Sequence, residues 1–154
     1  MLYQDFVGLS GYTQDEYYRI ILVRANAIQI TIDAMRLLKD HKLTQASGNL
    51  FIGSMCETRQ QGLKLVESGG LKVIVDSIKN FSTSSSVCSL AINTLFKCVE
   101  ATDLAMMFLE NMHGSREVIE SIPEELLSHE SLGNRNALIK RFGRSQEYYT
   151  KVVP

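Results

Sequence analysis

The stretch that decides the fold is GGLKVIVDSIKNFSTSSSVCSLAINTLFKCVEA, residues 69–101. Its first part has an apolar stripe at the i, i+3, i+4, i+7 spacing of one helix face, formed by Leu71, Ile74, Val75 and Ile78. A serine-rich polar run then precedes a second helical stripe over 87–98. The preceding QQGLKLVES, 60–68, ends at paired glycines that suit left-handed helix ends. The pattern predicts a short helix, a glycine turn, a second helix, a loop and a long third helix. A buried strand at VIVDS, 73–77, is the alternative.

Two independent landmarks repeat along the chain. The segments ITIDAM, VIVDSI and EVIESI carry an acid at Asp33, Asp76 and Glu120, which are 43 and 44 residues apart. The segments GNLFIG, INTLFK and RNALIK carry an asparagine at Asn49, Asn93 and Asn136, which are 44 and 43 residues apart. Two landmarks with one period predict three units over 14–57, 58–101 and 102–142 of a domain at 14–142. Arms over 1–13 and 143–154 flank it.

The period and the order of helices resemble the armadillo repeat. Armadillo and HEAT repeats are about 40–47 residues long, and a glycine turn between a short first helix and a second helix is typical of armadillo units. The third helix resembles the family pattern A-x-x-A-L-x-N at SLAINTLFK. This resemblance implies an all-α fold, a short right-handed α-solenoid of about three three-helix repeats. Stacking of neighbouring units would bury a continuous core.

The resemblance also implies a binding face. In armadillo proteins the third helices line a concave groove, where an asparagine ladder holds an extended peptide and tryptophans pack its side chains. Ala91 and Leu95 match the core positions of the pattern. Asn93 then takes the usual tryptophan position and Lys97 takes the ladder position, whose counterparts are Gly53 and Lys140. The Lys residues imply a preference for an extended acidic or carboxylate-bearing segment.

Composition limits the classes of function. The chain has 154 residues and a net charge of −1, so no overall basic field exists for nucleic acid or an anionic membrane. No apolar run approaches the ~20 residues of a membrane-spanning helix. Three cysteines, an odd number at irregular spacing, argue against a disulfide framework. A reducing, intracellular and cytoplasmic location is therefore expected.

The sequence offers no set of residues for catalysis. No histidine shares a metal-binding spacing with a cysteine or an acid, and Cys56, Cys88 and Cys98 are explained as packing residues. The ESGGLK segment lacks the spacing and the Lys-Ser/Thr end of a phosphate-binding loop. We therefore expect a non-enzymatic protein without cofactor or metal, whose histidines have surface or capping roles.

These observations predict a protein-interaction module or a scaffold subunit of a larger assembly. The partner would be a protein, either an extended peptide or a neighbouring subunit, with homo-oligomers through the solenoid ends as another option. The candidate residues of the concave face are Asn49, Asn93, Lys97, Asn136 and Lys140. The candidate residues of the C-terminal arm are Arg141, Arg144, Tyr148 and Tyr149.

Two alternatives stay open at this point. The asparagines could bond to neighbouring loops or water while the lysines are merely solvated, because most polar side chains pair with backbone or water. The basic segment NRNALIKRFGRSQEYYTKVVP, 134–154, interleaves cationic and aromatic residues. It therefore gives a second hypothesis, a helical protein that binds nucleic acid through its C-terminal segment.

Overall fold

The computed structural model describes residues 15–143, together with Gly8 and Gly11. Over this part the chain forms α-helices and no strand. The helices are α1 (Glu16–Arg24), α2 (Ala27–Leu37), α3 (Lys42–Met55), α4 (Arg59–Glu67), α5 (Gly70–Asn80), α6 (Ser85–Ala101), α7 (Asp103–Asn111), α8 (Ser115–Glu120) and α9 (His129–Arg141). A short 3-10 turn, Glu124–Leu126, joins α8 to α9. The all-α prediction is confirmed, and the strand alternative at 73–77 is wrong because that segment lies inside α5.

The junction between two helices recurs three times. A residue in the left-handed conformation precedes α2, α5 and α8, namely Asn26 (φ 56°), Gly69 (φ 70°) and Gly114 (φ 79°). These residues are 43 and 45 positions apart. Glycine, and less often asparagine, are the residues that adopt this conformation with little strain. The helices therefore form three triplets, α1–α3, α4–α6 and α7–α9.

Side-chain caps mark the same triplets. The first helix of each starts after Asp15, Thr58 or Thr102, and each of these side chains accepts a backbone N–H of its helix. The third helix of each starts after His41, Ser84 or Ser128, which cap in the same way. Because such caps satisfy N–H groups that have no partner within the helix, they fix where each helix begins. The capping role expected for histidine is found at His41.

Replacement of glycine by alanine should have opposite effects on the free energy of unfolding at Gly114 and at Gly133. Neither Gly114 nor Gly133 has a heavy atom within 4 Å of where a Cβ would lie, but only Gly114 has a positive φ. Gly114→Ala should lower the free energy of unfolding by about 1–2 kcal/mol, the cost of a left-handed alanine. Gly133→Ala, within α9, should raise it by about 0.5–1 kcal/mol. Urea denaturation of both variants measures this, and the same sign for both would contradict the assignment of the turn.

Corresponding helices of successive triplets lie side by side. The long helix α6 packs between α3 and α9, α5 packs between α2 and α8, and α4 packs against α7. One apolar core runs through all three triplets, including Ile32 in the first, Leu95 in the second and Leu138 in the third. The middle triplet is therefore covered by protein on both sides.

In the first two triplets, equivalent positions of the third helices are 43 residues apart. The caps His41 and Ser84 differ by 43 positions, and the same offset relates the buried pairs Phe51 and Thr94, Ile52 and Leu95, and Met55 and Cys98. The predicted asparagine interval from Asn49 to Asn93 is 44. One residue turns a helix by about 100°. Asn49 and Asn93 consequently lie on different sides of their helices, and the prediction that they share a face is wrong.

The acidic landmark is in register between the first two triplets. Asp33 and Asp76 each lie seven residues after the left-handed junction, whereas Glu120 lies six residues after Gly114. Each acid forms an ion pair with a base on its own helix, and the pairs are Arg36–Asp33, Lys72–Asp76 and Arg116–Glu120. All of these side chains are between two-fifths and two-thirds exposed, so these pairs add little stability. They show that one side of each of α2, α5 and α8 faces solvent.

Candidate functional site

Asn49 lies in the interior rather than on a surface. Its side chain is fully buried, and its Nδ2 donates to Ser77 Oγ of α5 at 3.0 Å. The Thr94 hydroxyl of α6 donates to the Asn49 carbonyl at 2.7 Å. Asn49 therefore joins the first triplet to two helices of the second. Its predicted place on a binding face is corrected, and the reason is the one-residue difference in register.

Asn93 belongs to an outward-facing stripe of α6. Together with Ser86, Leu90 and Lys97 it recurs at spacings of four, three and four residues, which is one side of a helix. Leu90 and Asn93 are half-buried, whereas Ser86 and Lys97 are exposed. Asn93 Oδ1 accepts a hydrogen bond from Asn134 Nδ2 of α9 at 3.0 Å. This bond fixes the orientation of the amide and does not use its own N–H groups.

The neighbouring third helices carry matching stripes. Leu50 and Ser54 of α3 lie 43 residues before Asn93 and Lys97, and Asn136 and Lys140 of α9 lie 43 residues after them. All four are at least partly accessible. The three stripes lie on neighbouring helices, because α6 packs between α3 and α9. We call them the third-helix face, defined by Leu50, Ser54, Leu90, Asn93, Lys97, Gly133, Asn136 and Lys140.

The third-helix face has a cationic end. Lys97 and Lys140 are both exposed, and within the described residues neither ammonium group forms an ion pair. A lysine ammonium has three donors and can accept an anionic partner without first breaking an internal bond. Four of the five residues predicted for the concave face are accessible on the adjacent helices α6 and α9, whereas Asn49 is buried.

Arg141 has a role within the fold. Its guanidinium pairs with Glu100 of α6 and lies 5.7 Å from the centre of the Phe96 ring. These contacts tie the end of α9 to α6. The other residues proposed for the C-terminal arm, Arg144, Tyr148 and Tyr149, lie outside the described residues.

Sequence reasoning missed several members of this face. Leu50, Ser54 and Leu90 look like ordinary helix residues, and Asn134 was not singled out although it holds Asn93. The 43-residue interval applied backwards from Asn93 and Lys97 finds Leu50 and Ser54, and the helix period finds Leu90. No local signal marks Asn134. Starting from Asn49 instead selects a residue that is turned inward.

The three cysteines are buried free thiols. The hydrogen bond between Cys98 and Cys56 raises the pKa of the Cys98 thiol, and burial raises it further. Burial also raises the pKa of Cys88, although a backbone hydrogen bond at Ser84 opposes this. A raised pKa keeps a thiol protonated at neutral pH, whereas nucleophilic cysteines have lowered pKa values. Cys88 and Cys98 therefore act as packing residues.

Comparison with known proteins assigns no family. No protein-family model, no curated protein and no solved structure matches this chain. Between residues 15 and 143, no three His, Cys, Asp or Glu side chains are placed to hold a metal ion. In the same part of the chain, every helix is too short or too polar to cross a membrane. The function is therefore argued from the geometry of the third-helix face.

Proposed function

We propose that the chain is a short, right-handed armadillo-like α-solenoid that acts as a non-enzymatic protein-interaction module or as a scaffold subunit of a larger assembly. Three triplets whose corresponding helices stack in order support this proposal. The left-handed residues that follow α1, α4 and α7 support it further. The middle one, Gly69, lies at the predicted glycine turn. Solenoids of this kind use the surface formed by equivalent helices to bind partners.

The binding proposal rests on one observation: on each of two adjacent helices, an asparagine amide and a lysine ammonium group lie one turn apart. In this proposal Asn93 and Asn136 form one row of the third-helix face, and Lys97 and Lys140 form the row one turn further along α6 and α9. Amide groups can donate to and accept from a peptide backbone. The lysines add positive charge beside that row. An extended acidic peptide crossing the helices matches both rows.

The spacing of the helices defines the ligand more closely. Packed helices lie roughly 8–10 Å apart, and an extended peptide in the polyproline II conformation advances roughly 3.1 Å per residue with three residues per turn. Such a peptide crossing α6 and α9 would therefore present every third residue, on the same side, to successive helices. Acidic side chains at positions i and i+3 would reach Lys97 and Lys140. Since both lysines are exposed, the affinity should fall as salt concentration rises.

The test compares two double variants in fluorescence anisotropy with labelled extended peptides that carry Glu at i and i+3. Asn93→Ala with Lys97→Ala should weaken binding about tenfold, which is about 1.4 kcal/mol, because it removes one amide and one ammonium from the face. The melting temperature should shift little, because loss of the hydrogen bond from Asn134 is offset by the higher helix propensity of alanine. Lys79→Ala with Asn80→Ala is the matched control, because these exposed residues lie at the end of α5. If Asn93→Ala with Lys97→Ala binds with unchanged affinity, the binding site lies elsewhere on the protein.

Nucleic-acid binding through the basic C-terminal segment is the weaker proposal. In the described part of that segment, Arg135 donates to the Ile122 carbonyl at 2.9 Å and Arg141 pairs with Glu100. Both guanidinium groups therefore already hold α9 in place. A phosphate backbone would have to compete with these bonds.

A further inference from the structure

Exposed apolar side chains are concentrated at one end of the molecule. Among the described residues, nine large hydrophobic side chains are exposed, and seven of them belong to α1–α3. The seven are Tyr17, Tyr18, Ile20, Ile21, Ile30, Leu37 and Leu43. The other two, Leu104 and Phe108, lie on α7. The first triplet is therefore incompletely covered compared with the second.

The repeat register explains which side of α2 is open. Ile30, Ala34 and Leu37 form a stripe at i, i+4 and i+7, in which Ile30 is 59% and Leu37 is 82% exposed. The residues 43 positions after Ile30 and Ala34 are Val73 and Ser77, which are 8% and 1% exposed, whereas Asn80, the counterpart of Leu37, is exposed at the end of α5. Ser77 accepts its hydrogen bond from Asn49, so this side of α5 faces the first triplet. The same side of α2 is where a preceding helical layer would pack.

The neighbouring helix α1 extends the apolar surface. Tyr17, Ile20 and Ile21 recur at i, i+3 and i+4 on one side of α1, which packs against α2. We call these three residues with Ile30 and Leu37 the first-triplet patch. Large side chains carry roughly 150–250 Å² each, so their exposed fractions amount to on the order of 500 Å². Interfaces of standard size bury about 800 Å² per partner, and homodimer interfaces are roughly 65% apolar, which together give a similar apolar area.

The opposite end of the molecule does not offer a matching surface. The exposed side chains of α8 include Arg116, Glu117 and Glu120, and no large hydrophobic residue of α8 or α9 is exposed in the described part. Head-to-tail stacking would place the first-triplet patch against α8 and α9, which offer it no exposed large apolar side chain in the described part. A two-fold symmetric contact instead places apolar surface against apolar surface. We propose that the first-triplet patch is the interface of an isologous homodimer.

The test measures the mass of the full chain in solution by light scattering at about 100 µM, above the micromolar Kd that the weaker interfaces of this size show. The wild-type chain should have twice the mass of a single chain. Ile30→Lys with Leu37→Lys should give a monomer with an unchanged helical circular dichroism spectrum, because both side chains are mostly exposed. Leu104→Lys is the matched control on α7 and should remain dimeric. A monomeric wild-type chain, or a dimer that tolerates both lysines, overturns the proposal.

Cross-linking gives a second measurement that does not depend on a destabilising charge. Because the three natural cysteines are buried, a cysteine placed at an exposed position is the reactive thiol. Leu37→Cys treated with a short bismaleimide should yield covalent dimers, and Leu104→Cys should not. Dimers from position 104 in place of position 37 overturn the proposal. Neither experiment depends on the third-helix face, so this proposal and the proposed function can fail separately.

Discussion

Leu95→Ala should lower the free energy of unfolding by about 3 kcal/mol, because removal of a fully buried leucine loses its transfer energy and leaves a cavity. Leu95 has no exposed surface and lies on α6, which packs against both α3 and α9. The surrounding helices on both sides limit how far the cavity can collapse. Chemical denaturation followed by circular dichroism measures the loss. The expected loss is a large share of the free energy of unfolding of a typical domain, which is roughly 5–15 kcal/mol.

The control for Leu95→Ala is Leu90→Ala in the same helix. Leu90 is half-buried on the third-helix face, so its truncation should cost about 1 kcal/mol or less. Both substitutions change helix propensity by the same small amount, and the difference between them isolates burial. Equal losses would mean that the inward and outward sides of α6 are wrongly assigned.

Gly53→Ala should lower the free energy of unfolding by about 2 kcal/mol, the typical cost of overpacking. A Cβ at this position would lie 2.6 Å from Thr94 Oγ1. Thr94 cannot easily move, because its β-branched side chain is stiff and its hydroxyl is held by the carbonyls of Asn49 and Leu90 at 2.7 and 2.9 Å. The added methyl group should therefore push α3 and α6 apart. The measurement is again the denaturation midpoint.

Gly48→Ala is the comparison for Gly53→Ala. Its Cβ would lie 2.5 Å from Met35 Sδ, but methionine has three rotatable bonds and adapts to irregular space. Gly48→Ala should therefore lose less stability than Gly53→Ala. The reverse order would contradict the close contact between Gly53 and Thr94 of the next triplet. Adding Thr94→Ala to Gly53→Ala should recover part of the loss, with a coupling of at least about 0.5 kcal/mol.

The helical order of the middle triplet could be read from local chemistry. The glycine pair at 69 and 70, the serine run before α6 and the apolar stripe of α5 act over a few residues, so the sequence alone indicates where these helices start and stop. The acidic landmark was also informative, because Asp33, Asp76 and Glu120 all lie on solvent-exposed sides of the second helices, and Asp33 and Asp76 are in register.

The candidate site was harder to predict because it depends on rotation about the helix axis. Asn49 and Asn93 look equivalent by residue type, yet an interval of 44 in place of 43 turns one of them inward. Nothing local distinguishes a buried asparagine that bonds to Ser77 from an exposed one. The two partners are 28 residues apart, and only packing brings them together.

Taken by itself, the sequence determined that the chain is helical, that two landmarks recur at intervals of 43 and 44 residues and that no acidic or basic excess favours one class of partner. These properties follow from periodicity, capping and charge, which are local or additive. The tertiary structure alone decided that Asn49 is a joint between triplets, that Asn93 bonds to Asn134 of a neighbouring helix, and that α1 and α2 leave an apolar side open. The reason is physical: which side of a helix is covered depends on the neighbours that stack against it.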